Sequence, residues 1–295
     1  MKRRLSLEAK SNIAGYLFLL PWILGAIKFF VIPFAKSALY AFSKVSLNEA
    51  GLHLDFVGWE NFDYMLLRNS DYIEKVTNSV TTLLKDVPLI WFFSMFIAIV
   101  INQKFIGRTF MRAVFFLPVI VGTGMVLRII NQDVFVANGM AENSQIFQAT
   151  ALADMLNNLH LGEGVTDFIV SATSQVFDLS WKSGLQILLY LSSIQTIPTT
   201  YYEVASIEGA NAWDTFWKIT FPVLAPTSLL VVIYTIIDTF TNSNNAVMRE
   251  ILDRIDNFLY GYASAAAMIF FVVISIILLL VFLVARKAVA SSNDY

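Results

Sequence analysis

Apolar positions in this chain fall into long runs rather than the short periodic patches of a water-soluble core. The clearest run, Tyr262 to Ala285, carries no charge. A helix needs roughly 20 mostly apolar residues to cross a bilayer. Five further runs qualify: Ile13 to Phe42, Val76 to Asn102, Ala113 to Asn131, Phe168 to Ile197 and Val223 to Phe240. The pattern predicts an all-α polytopic membrane protein with six transmembrane helices and both termini on one side. Pro21, Pro33, Pro88 and Pro118 fall inside these runs, where neighbouring helices can satisfy the carbonyl a proline frees. On this reading 1–12 is a tail, 13–287 one transmembrane domain and 288–295 a second tail. The basic start resembles a signal peptide, but the first run is too long for one and Lys28 interrupts it, so a retained span is expected.

Composition agrees. Of 295 residues 57% are apolar and only 14% charged, against about a quarter charged in soluble domains. The absence of cysteine excludes disulfides and thiolate metal sites. With only His53 and His160, a histidine metal site or a nucleophile–histidine arrangement is not expected either. The net charge of −2 argues against nucleic acid as a partner. No GxxxxGK[ST] phosphate loop occurs, so any ATP used must be bound by another subunit. Lysine and arginine set orientation: with the N-terminus cytoplasmic, the inner segments hold ten basic residues and the outer segments five. Both termini are therefore expected in the cytoplasm.

The outer segment from Ser43 to Val76 carries Glu49, Asp55, Glu60, Asp63, Asp71 and Glu74. It is either a solvated surface or a docking surface for an extracytoplasmic partner. Within it Phe56 to Phe62 is an apolar and aromatic cluster that needs covering.

The inner segment Pro198 to Pro222 is the most informative. Tyr201 to Ala212 suits a short helix interrupted at Gly209, where glycine permits a turn that a Cβ resists. A second short helix shows Trp213, Phe216, Trp217 and Thr220 at three- and four-residue spacing. Pro222 suits the start of the next span. An amphipathic hairpin lying on lipid is one reading of this segment. The residues also match a known pattern: Glu203, Ala205, Gly209, Ile219 and Pro222 fall in register with Glu-Ala-Ala, three residues, Gly, nine residues, Ile, any residue, Leu, Pro. Val204 and Phe221 depart from it by apolar changes, and Glu208 stands where an aspartate is usual.

In this loop the chain resembles the permease subunits of binding-protein-dependent ABC importers, whose EAA loop it matches. The Phe56 to Phe62 and Arg112 to Pro118 stretches are similar to the carbohydrate-uptake, maltose-type branch. The resemblance implies an ABC importer permease (MetI-like) fold in the bacterial inner membrane, taking up an oligosaccharide. It implies as partners a second permease, two ATPase subunits that bind ATP and magnesium, and an extracytoplasmic sugar-binding protein. It also implies that Glu203, Ala205, Glu208, Gly209, Trp213, Phe216, Ile219 and Pro222 couple the chain to an ATPase. No catalytic residue, metal site or cofactor of its own is implied.

Charges inside spans cost roughly 2.5–3.5 kcal/mol each at the bilayer centre and so face protein or a water-filled path. Lys36, Lys85, Asp86 and Arg128 lie near enough to the outer interface to be structural. Asp178 and Lys182, four apart on one helix face, form either an internal ion pair or part of a polar path with Asp238. Trp181 and Tyr234 would suit the apolar faces of a sugar. A permease for another solute such as a polyamine, or an ion-coupled transporter using Asp178, Lys182 and Asp238, are the alternatives.

Overall fold

The computed structural model describes residues 7–48, 51–103, 105–121 and 163–292. Glu49, Lys104, Arg128, the loop from 132 to 162 and the second half of the third expected span lie outside the described residues. Long helices dominate. Four described stretches are long and apolar enough to cross a membrane: Gly15–Ala41, Ser70–Asn102, Ala212–Asp256 and Tyr260–Ala285. The chain divides into two compact units, Met1–Thr82 with Asp238–Leu280 and Leu83–Ile237 with Val281–Tyr295.

In the first unit, helices Leu7–Ala26 and Ile32–Ala41 run on through a π-helical turn, Ile27–Val31. Ile32 N–H bonds the Ile27 carbonyl five residues back. The next residue, Pro33, has no N–H to offer, and a proline ring also pushes away the carbonyl four residues before it, so the ladder shifts register there. The same device recurs in the other unit. There Phe221 N–H bonds the Phe216 carbonyl, just before Pro222.

The sequence pattern did not anticipate a β-hairpin, yet Ser43–Asn48 pairs antiparallel with Gly51–Phe56. Its signal was the alternation Val45-x-Leu47 and Leu52-x-Leu54, which sets Val45 opposite Leu54 and Lys44 opposite Asp55. The all-α reading therefore holds for the membrane-spanning parts and not for this segment.

Beyond the hairpin, Trp59 and Phe62 pack on Phe42 at 5.1 and 4.9 Å between ring centroids. The chain's own first span thus covers part of the aromatic cluster that seemed to need a partner. Buried Asn61 donates Nδ2 to the carbonyls of Ala41 (2.9 Å) and Ser43 (3.0 Å). Gly261 must be glycine: a Cβ there would lie 2.6 Å from the Ser43 carbonyl oxygen. Ala263, Ala265 and Ala266 are buried on the last helix, and Tyr72 donates its hydroxyl to the Ala266 carbonyl at 2.8 Å. Small residues of this kind let helix backbones approach where lipid gives apolar side chains no reason to associate. Helix Ala246–Asp256 docks through buried Val247 and Ile251. It is also held by Glu250, which accepts from Lys75 at 2.8 Å and from Arg254 at 2.6 Å.

The second unit packs Met95, Ala98, Ile101, Ile187, Tyr190, Leu191, Ile194, Leu224 and Val231 into one core. The fourth expected span is not one helix but two, Glu163–Lys182 and Gly184–Gln195. They break at the buried pair Ser183-Gly184, a Ser/Gly step of the kind that kinks helices. The last helix, Tyr260–Ser292, runs past the border assigned to the C-terminal tail, and the first begins before residue 13.

Candidate functional site

The Pro198 to Pro222 loop is built by local rules. Pro198, extended at ψ 138°, opens helix Thr199–Ile207, none of whose residues is buried. A helix with no fully buried residue must end cheaply. Gly209 sits at φ +77°, its N–H bonds the Ser206 carbonyl at 3.2 Å, and Ala210 N–H reaches back to the Ala205 carbonyl at 2.9 Å. These are the two bonds of a Schellman cap, with glycine at the left-handed position and small residues meeting across the turn. The Ala205–Gly209 spacing of the motif is thus the spacing of a helix cap.

Asn211 then starts a new helix at once. Its side chain accepts from Asp214 N–H at 2.9 Å, the N-cap bond that asparagine makes well. Lys218 bonds Asp214 at 2.9 Å, and this hydrogen bond holds the Asp214 carboxyl below the usual carboxylate range. Helix Ala212–Thr215 passes through the π turn Phe216–Thr220 into the long helix Phe221–Thr241. Tyr202 and Thr220 hydroxyls meet at 3.2 Å and tie the loop's two halves together.

The side chains divide into two sets. Glu203 and Glu208 are exposed, and Pro222 is exposed at the start of the long helix. Ile207 is 84% exposed and Trp213 70%, with Tyr201 and Val204 beside them. Phe216, which the resemblance places among the coupling residues, is arranged differently from Trp213. It packs half-buried against the core, its ring 5.0 Å from Trp217 and 6.0 Å from Phe221. Ala205 and Ile219 are half-buried. Sequence reasoning overlooked Ile207, and also Asn211, although an asparagine three residues before an aspartate at a helix start was a visible cap signal.

The charges in the spans are arranged otherwise than expected. Lys182 Nζ lies 3.1 Å from Asp86 Oδ2, 96 positions away in the chain, an ion pair between two spans. Asp86, read as a snorkelling residue, is the partner. Trp181 is at the edge of exposure, at 36%, and Tyr234 and Asp238 are half-buried on the long helix. Asp178, Trp181, Lys182 and Tyr234 belong to the second unit and Asp238 to the first. Among the described residues no group of three or more His, Asp or Glu could hold a metal.

Residues 180–293, which contain this loop, match the family described as binding-protein-dependent transport system inner membrane component. The chain is 31% identical over 233 residues to the "Probable ABC transporter permease protein YesP" of Bacillus subtilis, covering 77% of this chain and 69% of that one. It is 28% identical to the "Multiple sugar-binding transport system permease protein MsmF" of Streptococcus mutans, covering 74% and 71%. Among solved structures, a chain of a bacterial alginate ABC transporter, crystallised in complex with an alginate pentasaccharide-bound periplasmic protein, shares the fold. Its TM-score is 0.67 at 17% identity over 95% of this chain and 96% of that one. The chain belongs to the family of inner-membrane permease components of binding-protein-dependent ABC transport systems.

Proposed function

We propose that this permease takes up an oligosaccharide delivered by an extracytoplasmic binding protein. It works beside a second permease and two ATPase subunits, which bind ATP and magnesium. The exposed Pro198 to Pro222 loop faces the cytoplasm, with both termini, and receives the ATPase movement. One observation carries the coupling role: helix Thr199–Ile207, none of whose residues is fully buried, is capped at Gly209 and holds Glu203 and Ile207 outward, with Trp213 exposed on the helix that follows. Exposed apolar groups beside a carboxylate in a fixed turn suit a groove in another protein. Support for the sugar comes from relatives named for sugar transport. Asp178, Trp181, Lys182, Tyr234 and Asp238 are proposed to line the substrate path. An ion-coupled mechanism loses appeal because Lys182, one of its three relay residues, is engaged by Asp86.

Uptake in cells tests this reading. Labelled oligosaccharide should enter, should stop on ATP depletion, and should persist when proton and sodium gradients are collapsed. Polyamine uptake through this chain, or gradient-driven uptake without ATP, would overturn it. Asp238→Ala should lower transport while leaving assembly intact, and unchanged transport would remove Asp238 from the path.

A further inference from the structure

The loop and the two helices flanking it are joined by side-chain hydrogen bonds at four levels, one within the loop and three between the helices. Within the loop, the hydroxyls of Tyr202 and Thr220 meet at 3.2 Å. Next, Thr227 donates its hydroxyl to Ser193 Oγ at 2.9 Å, and Tyr190 donates to Ser228 Oγ at 3.0 Å. Deepest, Gln186 Nε2 donates to Thr235 Oγ1 at 3.1 Å, while that threonine donates its own hydrogen to the Val231 carbonyl. Residues 186, 190 and 193 recur at four and three positions, so they form one stripe of helix Gly184–Gln195. Buried Ile187, Leu191 and Ile194 lie beside it, with Leu224 and Val231 on the opposite helix.

Inside a bilayer, apolar side chains are as comfortable against lipid as against each other, so apolar packing resists sliding of one helix along another only weakly. Directional bonds between fixed donors and acceptors do resist it. A slide of one helical turn, about 5.4 Å, would break the rungs together.

We propose that this ladder makes the two helices and their loop one stiff lever. It carries displacement of the loop to the Gln186–Thr235 level without the helices slipping. Gln186, Tyr190, Ser193, Thr227, Ser228 and Thr235 are then positioning residues for transport. The inference rests on the proposed coupling role of the loop and adds how the motion travels from it.

The innermost rung makes a clean test possible. Gln186 Oε1 is buried with no hydrogen-bond partner among the described residues, so Gln186→Leu removes an acceptor that they leave unsatisfied. Paired with Thr235→Val it replaces both partners by apolar groups of similar shape, a change that can be nearly neutral for stability. Tyr190→Phe with Ser228→Ala removes the next rung and keeps the ring.

The measurement is substrate imported per ATP hydrolysed by the assembled importer in lipid vesicles, with thermal stability alongside. In the four-substitution variant, stability and ATP turnover should stay close to wild type while import per ATP falls about fivefold or more. Unchanged import per ATP would overturn the lever. So would transport and ATP turnover falling in step with lost assembly, with Tyr190→Phe alone as the check should the full variant fail to fold. Gly209→Val separates the two ideas. If it also leaves stimulation intact, the loop is not the coupling element and both readings fall. If it uncouples while the ladder variant stays coupled, only the lever is wrong.

Discussion

Two helix ends in this protein make the same turn with opposite residues. At Gly209 the bonds run from residue 209 to Ser206 (3.2 Å) and from Ala210 to Ala205 (2.9 Å), at φ +77°. At Phe258 they run from residue 258 to Ile255 (3.0 Å) and from Leu259 to Arg254 (2.8 Å), at φ +60°. Glycine accepts the left-handed region freely, whereas an L side chain there costs about 1–2 kcal/mol. Anchorage explains why one site needs glycine and the other does without. The helix before Gly209 has no fully buried residue and is held to its neighbour through the half-buried Tyr202–Thr220 bond. The helix before Phe258 is docked by Val247 and Ile251, capped by Asn245 and fixed through Glu250 to Lys75 and Arg254. Strain persists where the surroundings over-determine the backbone. A turn that must keep its shape in solvent has no such reserve.

Substituting the unanchored turn should have the largest effect. A Cβ at Gly209 meets nothing within 4 Å among the described residues of this chain, so harm arising within the chain comes from backbone conformation. The order should be Asn mildest, since it visits this region most readily, then Ala, then Val, for which positive φ is a true outlier. Gly209→Val should lose most sugar-stimulated ATPase activity of the complex in lipid while the chain still inserts. Hydrogen exchange at the Gly209 and Ala210 amides should rise in the same order. Wild-type stimulation in all three variants would mean that the turn's shape does not matter to coupling.

Local features were the legible ones. The EAA loop could be read because its chemistry is short-range: a cap at Ala205 to Gly209, a second cap at Asn211, aromatics at helical spacing. Span interiors such as Val87 to Ile101 were legible from hydropathy alone. Tertiary partners were not. The i,i+4 spacing left Lys182 either paired with Asp178 or part of a polar path, and no sequence rule pointed to Asp86, 3.1 Å away on another helix. Phe216 and Trp213 share a helix stripe by count. Yet Phe216 packs against the core while Trp213 is 70% exposed, and the π turn that follows them, before Pro222 with its missing N–H, is a feature a hydrophobic pattern does not register. The hairpin was missed because a search for 20-residue runs steps over a six-residue alternation.

Removing the anchor from the second turn should have an intermediate effect. Glu250→Gln takes away the charge that Lys75 and Arg254 share, leaving Arg254, 13% exposed, without its counterion. Its cost should fall between the surface and buried-pair ranges, about 2 kcal/mol, read as a lower melting temperature at pH 7. Acid adds a signature. Burial alone pushes the Glu250 carboxyl up, but hydrogen bonds from Lys75 and Arg254 outweigh it and hold the carboxyl below the ordinary glutamate range. A carboxyl depressed in the folded state gives stability that is fully present above its unfolded pKa of about 4.3. That stability is lost as pH falls through the lower folded value. The gap between wild type and Glu250→Gln should therefore be widest at neutral pH and close in acid below the unfolded value. A gap independent of pH would mean that the charge is not what anchors the helix.

The smallest effect, and the one that isolates strain, is at Phe258 itself. Phe258→Gly relieves about 1–2 kcal/mol of left-handed backbone strain and gives back roughly 0.5–1 kcal/mol through the extra freedom of glycine in the unfolded chain. It also removes a ring that is 63% exposed and meets Tyr260 edge-on at 6.2 Å between centroids. An exposed contact at that distance contributes little, so the balance should be a gain of about 0.5 kcal/mol and a slightly higher melting temperature. Phe258→Ala is the control, because it loses the same ring and keeps a Cβ in the left-handed region. If strain is stored here, the glycine variant melts above wild type and the alanine variant at or below it. If the two variants melt alike, the cost at this turn is not in the backbone. The contrast with Gly209 would then rest on anchorage of the preceding helix alone.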